Sequence, residues 1–288
     1  MYRRFYVIIL AIAAVCGGAW AQPKVNGRVP TREKRGYDQQ IVIDTANVRV
    51  LYALNAKDIK DENTYIDLGK LEVGKRVKKY SSEFIDLSDE EAVKWKKKTG
   101  HAGYVPKSFW IGGRPELREN WSELVFSDYF IRGNELKEYA CFPLWAEREN
   151  SSYTEPWPLM QWRLTNEHQT ILGHRCQKAT CRFRGRDFVA WFAVDVPING
   201  GPWKLGGLPG CILKVYDTKK IYVWEAVAIE RGTYQIMQYP DKLYPRSTRK
   251  SVWQRQMKYS EDYLNAIGRT SWEDHHRPKV NFEPLEKE

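Results

Sequence analysis

Residues 201–211 read Gly-Pro-Trp-Lys-Leu-Gly-Gly-Leu-Pro-Gly-Cys and run straight into Ile212-Leu213-Lys214-Val215-Tyr216-Asp217. Four glycines and two prolines in eleven residues exclude a helix interior and a regular strand. Backbone of this kind is used where φ must be positive or where another chain segment passes too close for a Cβ. Connecting loops are normally polar, whereas this one carries Trp203, Leu205 and Leu208. The composition therefore predicts a loop pinned to the body of the protein, at the start of a buried strand.

Around it the chain reads as strand after strand. Runs rich in Ile, Val, Leu, Tyr and Phe predict strands at 41–55, 65–72 and 76–85, then at 123–131, 137–143, 159–164, 170–183, 188–196, 212–217 and 221–230. Several are joined by turns such as Arg184-Gly185-Arg186-Asp187, and short connections force antiparallel pairing. Strands this long curve. Ser88-Asp89-Glu90-Glu91 has the form of a capping box and predicts a helix to about Lys98, closed by Gly100. Residues 100–120 read as an irregular excursion. A last helix is expected over 247–267, with Trp253, Met257, Leu264 and Ile267 on its buried stripe and Gly268 as its stop. The expectation is a mainly β (α+β) domain over 41–268, a curved antiparallel meander with a C-terminal helix packed on it and a half-barrel outline. Residues 22–40 read as a flexible lead-in and 269–288 as a loose polar tail.

The first 21 residues have a secretory pattern. Arg3 and Arg4 precede an apolar run from Phe5 to Val15, and Ala19-Trp20-Ala21 offers small residues at the cut. The run is too short to span a bilayer, and no later stretch is apolar enough to do so. Val15 ahead of Cys16 fits a lipid-attachment site poorly. Removing the leader takes the formal charge from +10 to +8, two arginines fewer. The charge is spread along the chain, which suits solubility first and anionic envelope surfaces second. Twelve Trp and seventeen Tyr suit packed β-structure, and next a binding face.

Four cysteines follow the leader, Cys141, Cys176, Cys181 and Cys211. An even count in an oxidising compartment favours two disulfides, with three possible pairings. Cys176 and Cys181, five apart, face opposite sides of a regular strand. Cys181 shares a face with Ala179 and Phe183, and Cys211 shares one with Leu213 and Val215. The expected pairs are Cys181–Cys211 and, by elimination, Cys141–Cys176; free buried thiols are the alternative.

Catalytic patterns are missing. The five histidines are scattered or adjacent in the tail, so no metal site is expected, and no cofactor. There is no Gly-x-Ser-x-Gly and no His-Glu-x-x-His. The glycine-rich loop lacks the Gly-Lys-Ser/Thr ending of a phosphate cradle and precedes a strand. Residues 184–191 echo the strand motif of RNA-recognition domains, but Arg186 stands where an aromatic should stack a base. A hairpin with a basic solvent face explains the same residues, and nucleic acid is not an expected partner.

The loop and the block ahead of it resemble a known group. Ile171 to Thr180, Phe183 to Arg186, Ala190-Trp191-Phe192, Val196-Pro197-Ile198 and then Gly201 to Cys211 are together similar to the signature of the GLPGLI family, secreted proteins of Bacteroidetes named for the motif. The likeness is strong over 160–217. Two positions depart from it: Cys211 stands where the family has Leu, and position 181 is not usually Cys. The resemblance implies an exported protein of undefined biochemical function, and for some members a gene beside a TonB-dependent outer-membrane transporter. The meander with its end helix is also similar in outline to the half-barrels of lipoprotein carriers, and fold does not imply function.

The expected function is a non-catalytic binding or accessory protein of the envelope, in the periplasm or at the cell surface, with an outer-membrane transporter as possible partner. Gly201, Pro202, Trp203, Lys204, Gly206, Gly207, Leu208, Pro209 and Gly210 form either its contact surface or a plug at the end of the sheet. A carrier enclosing an apolar ligand is the alternative, and an uncharacterised hydrolase comes third.

Overall fold

A computed structural model describes residues 28–31, 37–100, 105–106, 108–110, 126–142, 144–261 and 283–287. The leader, His101, the end of the predicted last helix with Gly268, and His275-His276 lie outside them. The described strands are β1 (Arg28–Pro30), β2 (Ile41–Leu54), β3 (Asp67–Gly74), β4 (Lys78–Ser82), β5 (Ser108–Trp110), β6 (Asp128–Arg132), β7 (Glu135–Ala140), β8 (Ser151–Pro156), β9 (Arg163–Ile171), β10 (His174–Phe183), β11 (Arg186–Ala193), β12 (Cys211–Asp217) and β13 (Val223–Gln238). The described α-helices include α1 (Glu83–Thr99) and α2 (Arg249–Glu261).

Eleven strands form one open antiparallel sheet in the order β8-β7-β6-β4-β3-β2-β13-β12-β11-β10-β9. The mainly β class and the C-terminal helix agree with the sequence reading. The chain lays strands outward from β2 to β8, jumps to the far edge at β9, and works back until β13 pairs with β2. That jump uses only residues 157–162, which reach at most ~24 Å when extended. A flat sheet of this many strands would set its edges ~48 Å apart. The sheet therefore has to curl until its two edge strands approach. Three register shifts along the β2–β13 seam supply bends for it.

Alternation along β2 separates two cores. Val50, Tyr52 and Leu54 pack on one face with Trp203, Leu205 and Leu208 of the glycine-rich loop, hereafter the loop side. Leu51 and Ala53 face the other way with Phe84 and Ile85 of α1 and Val252 of α2, the helix side.

Five local expectations need correction. Helix α1 starts at Glu83, because Ser82 Oγ accepts from the Ile85 N–H at 3.1 Å; Ser88 is buried inside the helix. Its stop is as predicted, with Gly100 at φ 67°. The single strand expected over 170–183 is a hairpin, since Leu172 (φ 50°) and Gly173 (φ 82°) make a tight turn between β9 and β10. Strand β8 was not predicted, and no strand covers 159–162. Helix α2 buries Val252, Gln256 and Tyr259, leaving Trp253 and Met257 half-buried. Nor are the ends wholly loose: β1 pairs with β5, and residues 283–287 are packed against the body. Among the described residues no helix is long and apolar enough to cross a membrane.

Candidate functional site

The glycine-rich loop enters the fold after β11 and ends where Cys211 opens β12. Gly201, Pro202, Trp203, Lys204, Leu205, Gly206, Leu208 and Gly210 are buried; Gly207 and Pro209 are exposed. Gly210 is required by close approach, because a Cβ there would lie 2.1 Å from the Ala193 carbonyl oxygen. Gly207 is required by conformation, at φ 86°. Trp203 holds φ 58°, which a bulky residue rarely adopts, and its ring is locked 5.5 Å from Phe183 and 6.4 Å from Phe188. Two indoles from the β8–β9 connection clamp the loop: Trp157 Nε1 donates to the Lys204 carbonyl at 3.0 Å and Trp162 Nε1 to the Gly206 carbonyl at 2.7 Å. On this side Trp203 and Leu205 of the loop pack into one core with Phe192 and Trp224, all fully or nearly fully buried.

Lys204 is the chemical centre of the loop. Its Nζ lies 3.0 Å from Glu138 Oε2 on β7, donates to Tyr153 on β8 at 2.7 Å, and bonds Glu286 of the C-terminal segment. The rings of Tyr129, Tyr153 and Trp203 surround it at 5.3–5.5 Å. Burial works against its charge, but Glu138 and Glu286 overcome that and hold its pKa above the ordinary lysine value. In turn Lys204, with Arg184 and Arg249, holds Glu286 below the ordinary glutamate range against the effect of burial. A lysine held charged in this way is a poor nucleophile and a good staple.

The cysteines are not joined. All four are free and buried, so the expected Cys181–Cys211 and Cys141–Cys176 bridges are absent. Register gives the reason. Cys181 stands opposite Phe188 on β11, whereas Cys211 stands opposite Ala193, five residues and so ~16 Å further along that strand. Cys141 belongs to the helix-side core and Cys176 to the loop-side core. Cys176 and Cys211 flank Ala193 from either side, two strand spacings apart and so beyond bridging distance. Burial raises the thiols of Cys176 and Cys211 to about 11 and that of Cys181 to about 12.

Arg186, expected on a basic solvent face, is instead 3 % exposed. It pairs with buried Asp217 at 3.0 Å and donates to the C-terminal segment. Arg182 is the exposed arginine of that hairpin, and Arg184 is half-buried beside Glu155. Glu138, Tyr153, Asp217, Tyr222 and Glu286 carried no sequence signal; only folding brings them to the loop. Of the histidines, His174 pairs with Asp195 at 2.7 Å on the surface and His168 is exposed on β9. No group of metal-ligating side chains occurs among the described residues.

Residues 183–214, from the end of β10 to β12 and including the whole loop, match the model of a family described as "Protein of unknown function (Porph_ging)". That family is uncharacterised and typical of Bacteroidetes, and the match does not carry the GLPGLI name. No curated protein matches the chain. Among solved structures the chain is similar to "Structure of PNGF-II in P21 space group" (16% identity, TM-score 0.45) and "Structure of PNGF-II in C2 space group" (16% identity, TM-score 0.46). Each alignment covers 76% of this chain and 34% of the other, so the chain spans about a third of the length of those proteins.

Proposed function

We propose that the chain is an exported, non-catalytic binding or accessory protein of the cell envelope, which takes an extended segment of a partner along strand β9. The one charged side chain of the glycine-rich loop, Lys204, is buried and already matched by Glu138 and Glu286, which leaves recognition to the surface. The observation that carries the reading is the asymmetry of the two sheet edges. Strand β8 is covered: Ser152 N–H bonds the Pro245 carbonyl at 3.0 Å, and Ser247 N–H bonds the Ser152 carbonyl at 2.7 Å. Strand β9 ends the sheet, and among the described residues no strand pairs with its outer side. Exposed apolar side chains flank it, Leu159 at 92 %, Leu164 at 50 % and Leu172 at 44 %. An uncovered edge with apolar neighbours is a template for strand addition. An outer-membrane transporter is the partner favoured by the family resemblance of the sequence.

Counting from the tight turn at Leu172-Gly173, His168 and Thr170 direct their N–H groups outward. A His168→Pro/Thr170→Pro variant removes those donors without touching the β9–β10 ladder. Affinity purification from the native envelope is expected to recover a partner with the parent chain and to lose it with this variant at unchanged melting temperature. Equal recovery by both would count against the β9 edge.

A further inference from the structure

The C-terminal segment 283–287 belongs to neither a helix nor a strand, yet it is held more closely than a surface tail. Side chains from separate elements read its backbone carbonyls one after another. Tyr222 Oη donates to the Glu283 carbonyl at 2.9 Å. Arg186 Nη2 donates to the carbonyls of Glu283 at 3.2 Å and Pro284 at 2.5 Å, and its Nε to those of Pro284 at 3.1 Å and Leu285 at 2.9 Å. Trp253 Nε1 donates to the Glu286 carbonyl at 3.0 Å. The fork of Arg186 is fixed from behind by Asp217, and its guanidinium lies 5.0 Å over the Tyr222 ring. The ladder-like contact of the segment is from Lys287 N–H to the Arg184 carbonyl, at 3.0 Å.

Its side chains are read as well. Leu285 is 1 % exposed and enters the loop-side core beside Trp203 and Met257. Glu286 meets Lys204 and, at 2.8 Å, Arg249 Nη1. Glu283 lies 3.6 Å from Arg186 and 3.8 Å from Lys219. An arginine has five donors and no acceptor, so a buried one aimed at three consecutive carbonyls demands a backbone that turns them to one side, and the segment bends at Leu285. Cationic groups at both ends of the cleft and an apolar hole between them set the rest of the specificity.

We infer that this cleft is a peptide-recognition site, filled in the free protein by the chain's own residues 283–287. It accepts in trans a short peptide that bends at an apolar anchor, with two acidic side chains three residues apart and the anchor just before the second. The cis segment then acts as a competitor that a partner must displace. This is independent of the β9 edge, and loss of capture there leaves it untouched.

The test uses the full chain with a disarmed tail, Leu285→Asp/Glu286→Lys, and a fluorescein-labelled peptide of the native sequence 281–288. Saturable binding to the disarmed chain is expected, at least about tenfold tighter than to the parent, because a tethered tail competes at about millimolar effective concentration. Adding Arg186→Met to the disarmed chain should abolish it. No saturable binding to a folded disarmed chain, or equal binding to the parent, overturns the inference. Should the disarmed chain fail to fold, amide hydrogen exchange on the parent decides. Exchange of Leu285 and Lys287 at least about tenfold faster than Phe188–Phe192 shows a tail that releases from a folded body. Exchange of both segments at one common rate makes the tail an integral core element and overturns the proposal.

Discussion

Lys204 is buried and Lys70 nearly so, with its side chain 12 % exposed, and each is held charged against desolvation by two carboxylates. Lys70 Nζ sits 2.6 Å from Glu83 and 2.9 Å from Asp86, in the first turn of α1, only 13 residues beyond it in the former case. Lys204 ties together β7, the glycine-rich loop and the C-terminal segment, and its partner Glu286 is 82 residues away. The first cluster is assembled by a hairpin and a helix start, and the helix N-terminus adds its own attraction for carboxylates. The second has no local support. A buried charge placed by local structure can lose its partner and keep some compensation; one placed only by tertiary structure cannot.

The largest expected effect tests that difference directly. Lys204→Met leaves Glu138 and Glu286 facing an apolar side chain and should cost about 3 to 5 kcal/mol in urea unfolding. Lys70→Met should cost about half as much, because the α1 amides still face Glu83 and Asp86. Equal losses would break the comparison. Adding Glu138→Gln to Lys204→Met should restore part of the stability.

Two glycines sharpen it. At Gly210, which positions the loop, a Cβ meets backbone, and Gly210→Ala should cost about 3 kcal/mol. At Gly100 (φ 67°), which ends α1, a Cβ meets nothing within 4 Å, so Gly100→Ala carries only the conformational cost of about 1 kcal/mol. Melting curves of both variants would rank them.

A different effect is in pH. Burial raises Asp67, near α1, to about 7 from an unfolded value of 3.8, although Ser82 Oγ donates to it at 2.6 Å. The native state then holds more protons than the unfolded state between those values. Its stabilising contribution is full below about pH 4 and is lost as pH rises through 7. Glu286, held low, contributes in the opposite sense, with stability present above its unfolded value of 4.5 and lost as pH falls. In denaturation titrations Asp67→Asn should flatten the decline between pH 4 and 7, and Glu286→Gln the acid limb below 4.5. Exchanged effects would overturn the assignment.

The same divide between local and remote explains what the sequence made legible. The antiparallel meander, the buried character of Trp203 and the stop at Gly100 rest on neighbouring residues, and all could be read in advance. Helix α1 was placed too late because Phe84-Ile85 continues the apolar pattern of β4 across Ser82, which hides the cap. Strand β8, Ser-Ser-Tyr-Thr-Glu-Pro, has one apolar side chain and a proline, and it is a strand because β7 and residues 245–247 give it partners. The parity argument for the cysteines compared faces of single strands, while their pairing depends on register across β11. Arg186, Glu138 and Glu286 look like ordinary surface charges until the fold brings their partners to them.

The β2–β13 seam also sets an order of assembly. It is held by contacts as remote as Arg49 to Glu230, at 2.5 Å and 181 residues apart. Each half of the sheet can grow hairpin by hairpin, but the seam closes only after nearly the whole chain has emerged. Until then β2 stands as an open edge with Val48, Val50 and Tyr52 uncovered. A chain interrupted before β13 therefore ends as an aggregation-prone half-sheet, and the long wait before closure is time in which an extended chain can still be moved or captured.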